Sequence, residues 1–321
     1  MMAMRAPARG LALALLIVAL GAGSAAAASS CGPSTRPLAT PTTLVLSGGG
    51  AKGAYEAGVA ALFVERGVPI RLAAGSSAGA LNAAMIADGR LDRLESLWRG
   101  LTRDRVYSLR AQVLFGGLLP GWLTLLILDH AGSLFDPAPL RELIDERVDL
   151  ERIRASPVRL LVVTSDLARR EQRLFDNRTV TREALMAAAA VPGAFPAVDV
   201  DGTLLVDGGL TGRAPVLEAL AAAPEAERAV VVMSYAPDER GAPPTTMRRA
   251  LEEAFEMGMI HQIRRDVELA RLKFPAAEVH LLTPSAPLSL RPLDFDPDGM
   301  ARALERGRED ARACLSGWAP R

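Results

Sequence analysis

Short apolar or β-branched runs alternate with helical patterns along this chain, and that alternation restricts its fold more than any other feature. The runs cover residues 43–47, 71–74, 158–165, 203–206, 229–234 and 278–282. Helical periodicity covers 51–65, 78–87, 91–101, 139–147, 181–190, 215–222, 247–273 and 297–314. Strands separated by helix-length segments pair in parallel through crossovers, with helices on both faces of the sheet. The expected fold is therefore α/β with a mainly parallel sheet, and no internal repeat interrupts it. Half of the residues are apolar but only 4% are aromatic, so the core must be built from Ala, Leu and Val.

The first thirty residues read as an address. Arg5 and Arg9 precede an apolar run, residues 11–20, and small residues fill 21–30. A charged start, a short apolar stretch and a small-residue exit mark an export signal. Two cleavage readings compete: after Ala26-Ala27-Ala28, or before Cys31 within Ala28-Ser29-Ser30-Cys31, which would make Cys31 a lipidated N-terminus. The second is favoured, because Cys31 leads into a polar, Pro-rich stretch that suits a tether over residues 31–41. The domain proper then runs from 42 to 321. Cys314 falls in the last helical pattern; a disulfide to Cys31 suits an exported protein, and a lone buried thiol is the preferred reading. The expected location is outside the cytoplasm, at a membrane surface.

Formal charge is zero, with 37 basic and 37 acidic residues. Without Arg5 and Arg9 the balance is 35 to 37, which argues against a nucleic-acid partner held by bulk charge. Lys52 and Lys273 are the only lysines, and Lys52 lies inside the first of three motifs.

Ligand chemistry in open α/β sheets gathers at the carboxyl ends of the strands, and three motifs fall there. Ser47-Gly48-Gly49-Gly50-Ala51-Lys52-Gly53 joins a strand to a helix. Its glycines expose backbone N–H groups that can hold an anion, such as the oxygen of a tetrahedral intermediate. Lys52 is followed by Gly53, so a Walker loop fails, but Gly48, Gly50 and Gly53 fit a dinucleotide loop equally well. Gly75-Ser76-Ser77-Ala78-Gly79 is a Gly-x-Ser-x-Gly turn between a strand and a helix, the arrangement that projects a nucleophilic serine. Asp207-Gly208-Gly209 follows an apolar strand. Alone it reads as an ordinary turn; beside a serine it offers a carboxylate base. His130, His261 and His280 lack such loop context and read as structural. Residues 113–128 are the most lipophilic stretch of the mature chain and suit a lid, an acyl groove or a buried helix.

Taken together these blocks resemble the patatin-like phospholipase family from residue 44 to about 216. The oxyanion loop of that family matches Gly48, Gly49, Gly50, Lys52 and Gly53. Its nucleophile falls on Ser77, flanked by Gly75 and Gly79, and its dyad acid falls on Asp207, followed by Gly208 and Gly209. An Ala-rich helix ending near Phe-Pro matches 187–198, with Pro192, Phe195 and Pro196. The resemblance implies a three-layer α/β/α sandwich with a mainly parallel central sheet and a Ser-Asp dyad without histidine. It implies hydrolysis of acyl esters in phospholipids or lysophospholipids at a membrane surface, with no metal or organic cofactor. The amides of Gly48, Gly49 and Gly50, with Ala78 as an extra, are the expected oxyanion donors. The chain departs from the family at Arg213, where Asn is usual. A carboxylesterase or thioesterase acting on non-lipid acyl groups, and a lipid-binding protein without turnover, are the alternatives. A nucleotide-binding protein would leave Gly75-Ser77-Gly79 unexplained.

Overall fold

The computed structural model describes residues 31–110, 132–237 and 243–319. Twelve strands and nine helices are present among them. In chain order they are β1 (Ser34–Pro37), β2 (Thr42–Leu46), α1 (Gly53–Glu65), β3 (Ile70–Gly75), α2 (Ala78–Asp88), α3 (Leu91–Gly100), β4 (Ser108–Leu109), β5 (Phe135–Asp136) and α4 (Ala138–Arg147). There follow α5 (Leu150–Arg154), β6 (Arg159–Asp166), β7 (Glu171–Asp176), α6 (Arg182–Ala188), β8 (Val198–Val200), β9 (Thr203–Asp207) and α7 (Val216–Ala222). The last are β10 (Arg228–Val232), α8 (Met247–Lys273), β11 (Glu278–Leu282), α9 (Pro297–Ser316) and β12 (Trp318–Ala319). Residues 113–128 and His130 lie outside the described residues.

The side-chain period of a strand sorts the core into two layers. Leu44 and Leu46 of β2, Ala73 of β3, Leu160 and Val162 of β6 and Val230 and Val232 of β10 face one helical layer that includes α1, α2, α3 and α9. Val45, Leu72, Ala74, Leu161, Ala229 and Val231, the residues between them, face α7 and α8. Helices on both faces make the three-layer sandwich. Helix α1 is buried on nearly every side, and its small residues let other helices approach: a Cβ on Gly58 would run into the Leu304 carbonyl of α9. Thr181, Thr246 and Asp296 each accept a backbone N–H of the first turn of their helices, which fixes the starts of α6, α8 and α9.

The sheet runs β11-β10-β2-β3-β6 with every neighbour parallel. Beyond that point it changes character. Strand β6 pairs antiparallel with β7 over residues 161–166 and antiparallel with β9 over 164–166. Its pairing with β3 covers the earlier part, up to Gly75 opposite Val162. Because β7 occupies one edge of β6 throughout, β3 and β9 share the other edge and run toward each other along it. Gly75 faces Val162 and Asp207 faces Thr164, so the two strand ends stop only two residues apart along β6. At the strand rise that is about 7 Å. This head-on meeting is what brings the serine turn and the aspartate together.

The tether expected of residues 31–41 is instead part of the fold. Strand β1 pairs parallel with β12. Glu278 of β11 accepts hydrogen bonds from the hydroxyls of Ser34 and Thr35. Cys31 is buried and forms a disulfide with Cys314 of α9, so neither the lone thiol at Cys314 nor lipidation at Cys31 stands: the sulfur that a thioether needs is already bonded. The His280 ring packs tilted against Trp318, with centroids 5.6 Å apart, and its Nδ1 lies 2.9 Å from the Cys31 carbonyl oxygen.

Candidate active site

Ser77 ends the turn between β3 and α2 with φ 53° and ψ −137°, a backbone conformation that a side chain disfavours. The turn can hold it because its flanks have no side chains. A Cβ on Gly79 would strike the Leu46 carbonyl, and one on Gly48 would sit 2.6 Å from the Ser76 carbonyl oxygen. The two glycine-bearing loops therefore lock against each other. The Ser77 N–H donates to the Ala188 carbonyl at 2.9 Å, and the Asp207 N–H donates to the Ala190 carbonyl at 2.9 Å. The Ala-rich end of α6 thus fixes both members of the pair, which gives the fourth block of the sequence a physical task.

Asp207 is almost wholly buried. Its Oδ1 accepts the Gly209 N–H at 2.7 Å, while Oδ2 is buried without a hydrogen-bond partner. Burial raises the carboxyl above its ordinary pKa, against the opposing pull of Arg213, the Gly209 N–H and the Ser77 hydroxyl. A carboxylate held in this way is more basic than one in water and has an open oxygen to receive a proton.

The glycine loop divides by task. Gly48 does not present its N–H to the cavity as expected; it donates at 2.7 Å to Oε1 of Glu56 on α1. Gly49, Gly50 and Ala78 line the cavity beside Ser77. Gly49 and Gly50 have φ of 123° and 58°, a turn closed by the Lys52 N–H donating to the Gly49 carbonyl. Lys52 is buried, with its Nζ 4.0 Å from the centre of the Tyr235 ring and 3.7 Å from Glu256 on α8. Gly53 abuts Trp98, and Gly208 backs onto the Val163 carbonyl.

Glu56 was hidden in the sequence as one charge in a helix. Its Oε1 also accepts from the hydroxyls of Ser47 and Ser234, and Oε2 accepts from Asn82 Nδ2 at 3.2 Å. Asn82 in turn accepts from Trp98 Nε1 at 2.8 Å. Burial pushes the Glu56 carboxyl up to about 7, in spite of these donors. The signal available in sequence was the lone acid in Gly53-Ala54-Tyr55-Glu56-Ala57-Gly58, a stretch too apolar and too small to have a solvent face.

A cavity of about 630 Å³ opens over Ser77. That is ample for a lipid acyl chain. Leu81, Met85, Leu97, Trp98, Leu140 and Phe195 are among its apolar lining, and Arg249, Glu252 and Arg291 contribute polar groups. No histidine lines it among the described residues; His261 is exposed on α8 and His280 belongs to the disulfide end. No three His, Cys, Asp or Glu side chains gather as a metal site among the described residues.

The family model described as patatin-like phospholipase matches residues 44–220, more than half of the chain, and the chain belongs to that family. An uncharacterized NTE family protein of Mycobacterium tuberculosis is 30% identical over 174 residues, 54% of this chain and 44% of the relative. A patatin-like phospholipase domain-containing protein of Caenorhabditis elegans is 29% identical over 177 residues, 54% of this chain and 12% of the relative. The chain thus spans less than half the length of these curated relatives. Among solved structures, VipD from Legionella pneumophila superposes with a TM-score of 0.50 at 17% identity, covering 90% of this chain and 70% of VipD. That similarity is one of fold.

Proposed function

We propose that this chain hydrolyses acyl esters of phospholipids or lysophospholipids, with Ser77 as nucleophile and Asp207 as its base. The observation that carries the reading is the meeting of β3 and β9 on β6, which sets a strained serine beside a buried carboxylate at the wall of an apolar cavity. Asp207 accepts the Ser77 proton as the serine oxygen bonds to the ester carbonyl carbon. The amides of Gly49 and Gly50, with that of Ala78, hold the oxyanion. The intermediate collapses, the carbon–oxygen bond to the alcohol breaks, and Asp207 returns the proton to the leaving alkoxide. Water, deprotonated by Asp207, then attacks the acyl-serine and frees the fatty acid and Ser77.

The cavity lining favours an acyl chain over a polar acyl group. Met247, Leu251 and Phe255 follow one another at i, i+4 spacing on α8, and all three are exposed; Phe255 also lines the cavity. A row of this kind suits a lipid surface. The Cys31–Cys314 disulfide suits an oxidising compartment and so an exported protein. Release of fatty acid from phosphatidylcholine and lysophosphatidylcholine, measured beside Ser77→Ala and Asp207→Asn, tests the reading. Loss of about a thousandfold or more in each variant with a cooperative melt retained is expected. Turnover at the wild-type rate in either would refute the dyad, and activity confined to short soluble esters would favour a general carboxylesterase.

A further inference from the structure

Arg213 is only 3% exposed, yet its guanidinium forms no hydrogen bond or ion pair with any described residue, and its Nε is buried without a partner. A buried guanidinium without a direct hydrogen-bonded or ion-paired partner is unfavourable, and it is placed to meet an anion that arrives or develops beside it. The loop that carries it is held firmly: the Ser76 hydroxyl, next to the nucleophile, donates to the Arg213 carbonyl at 2.7 Å. The guanidinium reaches across the site. Its Nη1 is 2.7 Å from the point where a Cβ on Gly209 would start, and its Nη2 is 3.5 Å from the same point on Gly49. It therefore bridges the aspartate loop and the oxyanion loop, and it lines the cavity with Ser77.

We infer that Arg213 is a further catalytic residue, a side-chain donor that shares the developing oxyanion with the amides of Gly49 and Gly50. The inference rests on Ser77 being the nucleophile. As the serine oxygen bonds to the carbonyl carbon, the electron pair of the C=O bond moves onto oxygen, and the guanidinium meets that charge without leaving its place. Two features separate this role from binding a lipid head group. The residue is buried beside the reacting serine, whereas an incoming head group would meet the other two cavity-lining arginines, exposed Arg291 and half-buried Arg249. Arg249 is already ion-paired with Glu252 and Glu253. Two buried acids, Asp207 and Glu56, feel the charge of Arg213 without pairing with it, and its field favours the ionised form of both.

Steady-state hydrolysis of p-nitrophenyl butyrate, which carries no phosphate, and of phosphatidylcholine vesicles should be compared for wild type, Arg213→Gln and Arg213→Lys across pH. The expected result for Arg213→Gln is a fall in kcat of about a hundredfold on both substrates with KM little changed, persisting on the alkaline plateau. Fluorophosphonate labelling of Ser77 should slow in parallel. Arg213→Lys, which keeps the charge but not the planar fork, should recover part of the loss. Three results would overturn the inference: an unchanged kcat, a loss confined to KM on vesicles, or a loss that vanishes at high pH. The second would make Arg213 a head-group site, and the third would make it act through Asp207 alone. If Arg213→Gln lacks a cooperative melt, Arg213→Lys decides, since wild-type kcat in that variant also overturns the inference. Wild-type turnover that survives Ser77→Ala would instead refute Ser77 as the nucleophile, on which the inference rests, whatever the Arg213 variants do.

Discussion

At the scale of single residues, Ser77 and Asp207 are each anchored through their backbone amides. The Ser77 amide is tied to Ala188, the Asp207 amide to Ala190, and the glycine loop to Glu56. Glu56 allows a signed prediction. Its folded-state pKa, about 7, is above the ordinary carboxylate value of 4.5. The stability it contributes is therefore fully present below pH 4.5 and is lost as pH rises through 7. Glu56→Gln keeps an acceptor for the Gly48 N–H but carries no charge. Thermal melts from pH 4 to 9 should show the variant gaining on wild type by several degrees as pH rises from 4.5 to about 7, with no further gain above that. An identical pH profile for the two proteins would show that Glu56 is not the buried acid described here. The serine and the aspartate were legible in sequence because their loops carry glycines at fixed spacing. Glu56 was not, because its task depends on burial of all sides of α1. Arg213 was visible only as a departure, and its surroundings became readable once β9 was placed.

Elements account for what the sequence could and could not reveal about the fold. The parallel strands β2, β3, β6 and β10 are continuous apolar runs buried on both faces, so pattern alone finds them. Strand β7, Glu171-Gln172-Arg173-Leu174-Phe175-Asp176, is an edge strand with mostly exposed side chains and carries no such pattern. Strand β1 contains Pro37 and pairs with a two-residue partner, so its order comes from the disulfide and from Glu278. The antiparallel course of β9 is equally silent in sequence, because direction is set by its pairing with β6. Helix α8 carries a prediction of its own. Replacing Met247 and Leu251 with Ser removes exposed apolar area without touching the cavity lining. Hydrolysis of vesicle lipid should fall about tenfold, reflecting weaker attachment, while hydrolysis of p-nitrophenyl butyrate stays at the wild-type rate. Equal rates on vesicles would exclude this face of α8 from lipid contact.

For the whole molecule, the two ends of the described chain are clasped together. Cys31 and Cys314 lie 283 residues apart and close almost the entire chain into one loop. Linking such distant points restricts the unfolded chain and stabilises the fold by roughly 2 to 5 kcal/mol. Cys31→Ser and Cys314→Ser should each lower the urea midpoint accordingly, and a reducing agent should do the same to wild type but to neither variant. No change in midpoint would mean that the bridge is not formed in solution. The clasp lies at the amino end of the strands, opposite the cavity, so the Cys variants should keep their turnover number under native conditions.

The proposed chemistry depends on Ser77 being an activated nucleophile with Asp207 as its base. The most direct measurement is mass-spectrometric mapping of a fluorophosphonate adduct on wild type, Ser77→Ala and Asp207→Asn, each with and without phosphatidylcholine vesicles. An adduct is expected on Ser77 in wild type, none in Ser77→Ala, and a strongly slowed reaction in Asp207→Asn. Absence of any adduct on wild-type Ser77 under both conditions, or labelling of Asp207→Asn at the wild-type rate, would contradict it.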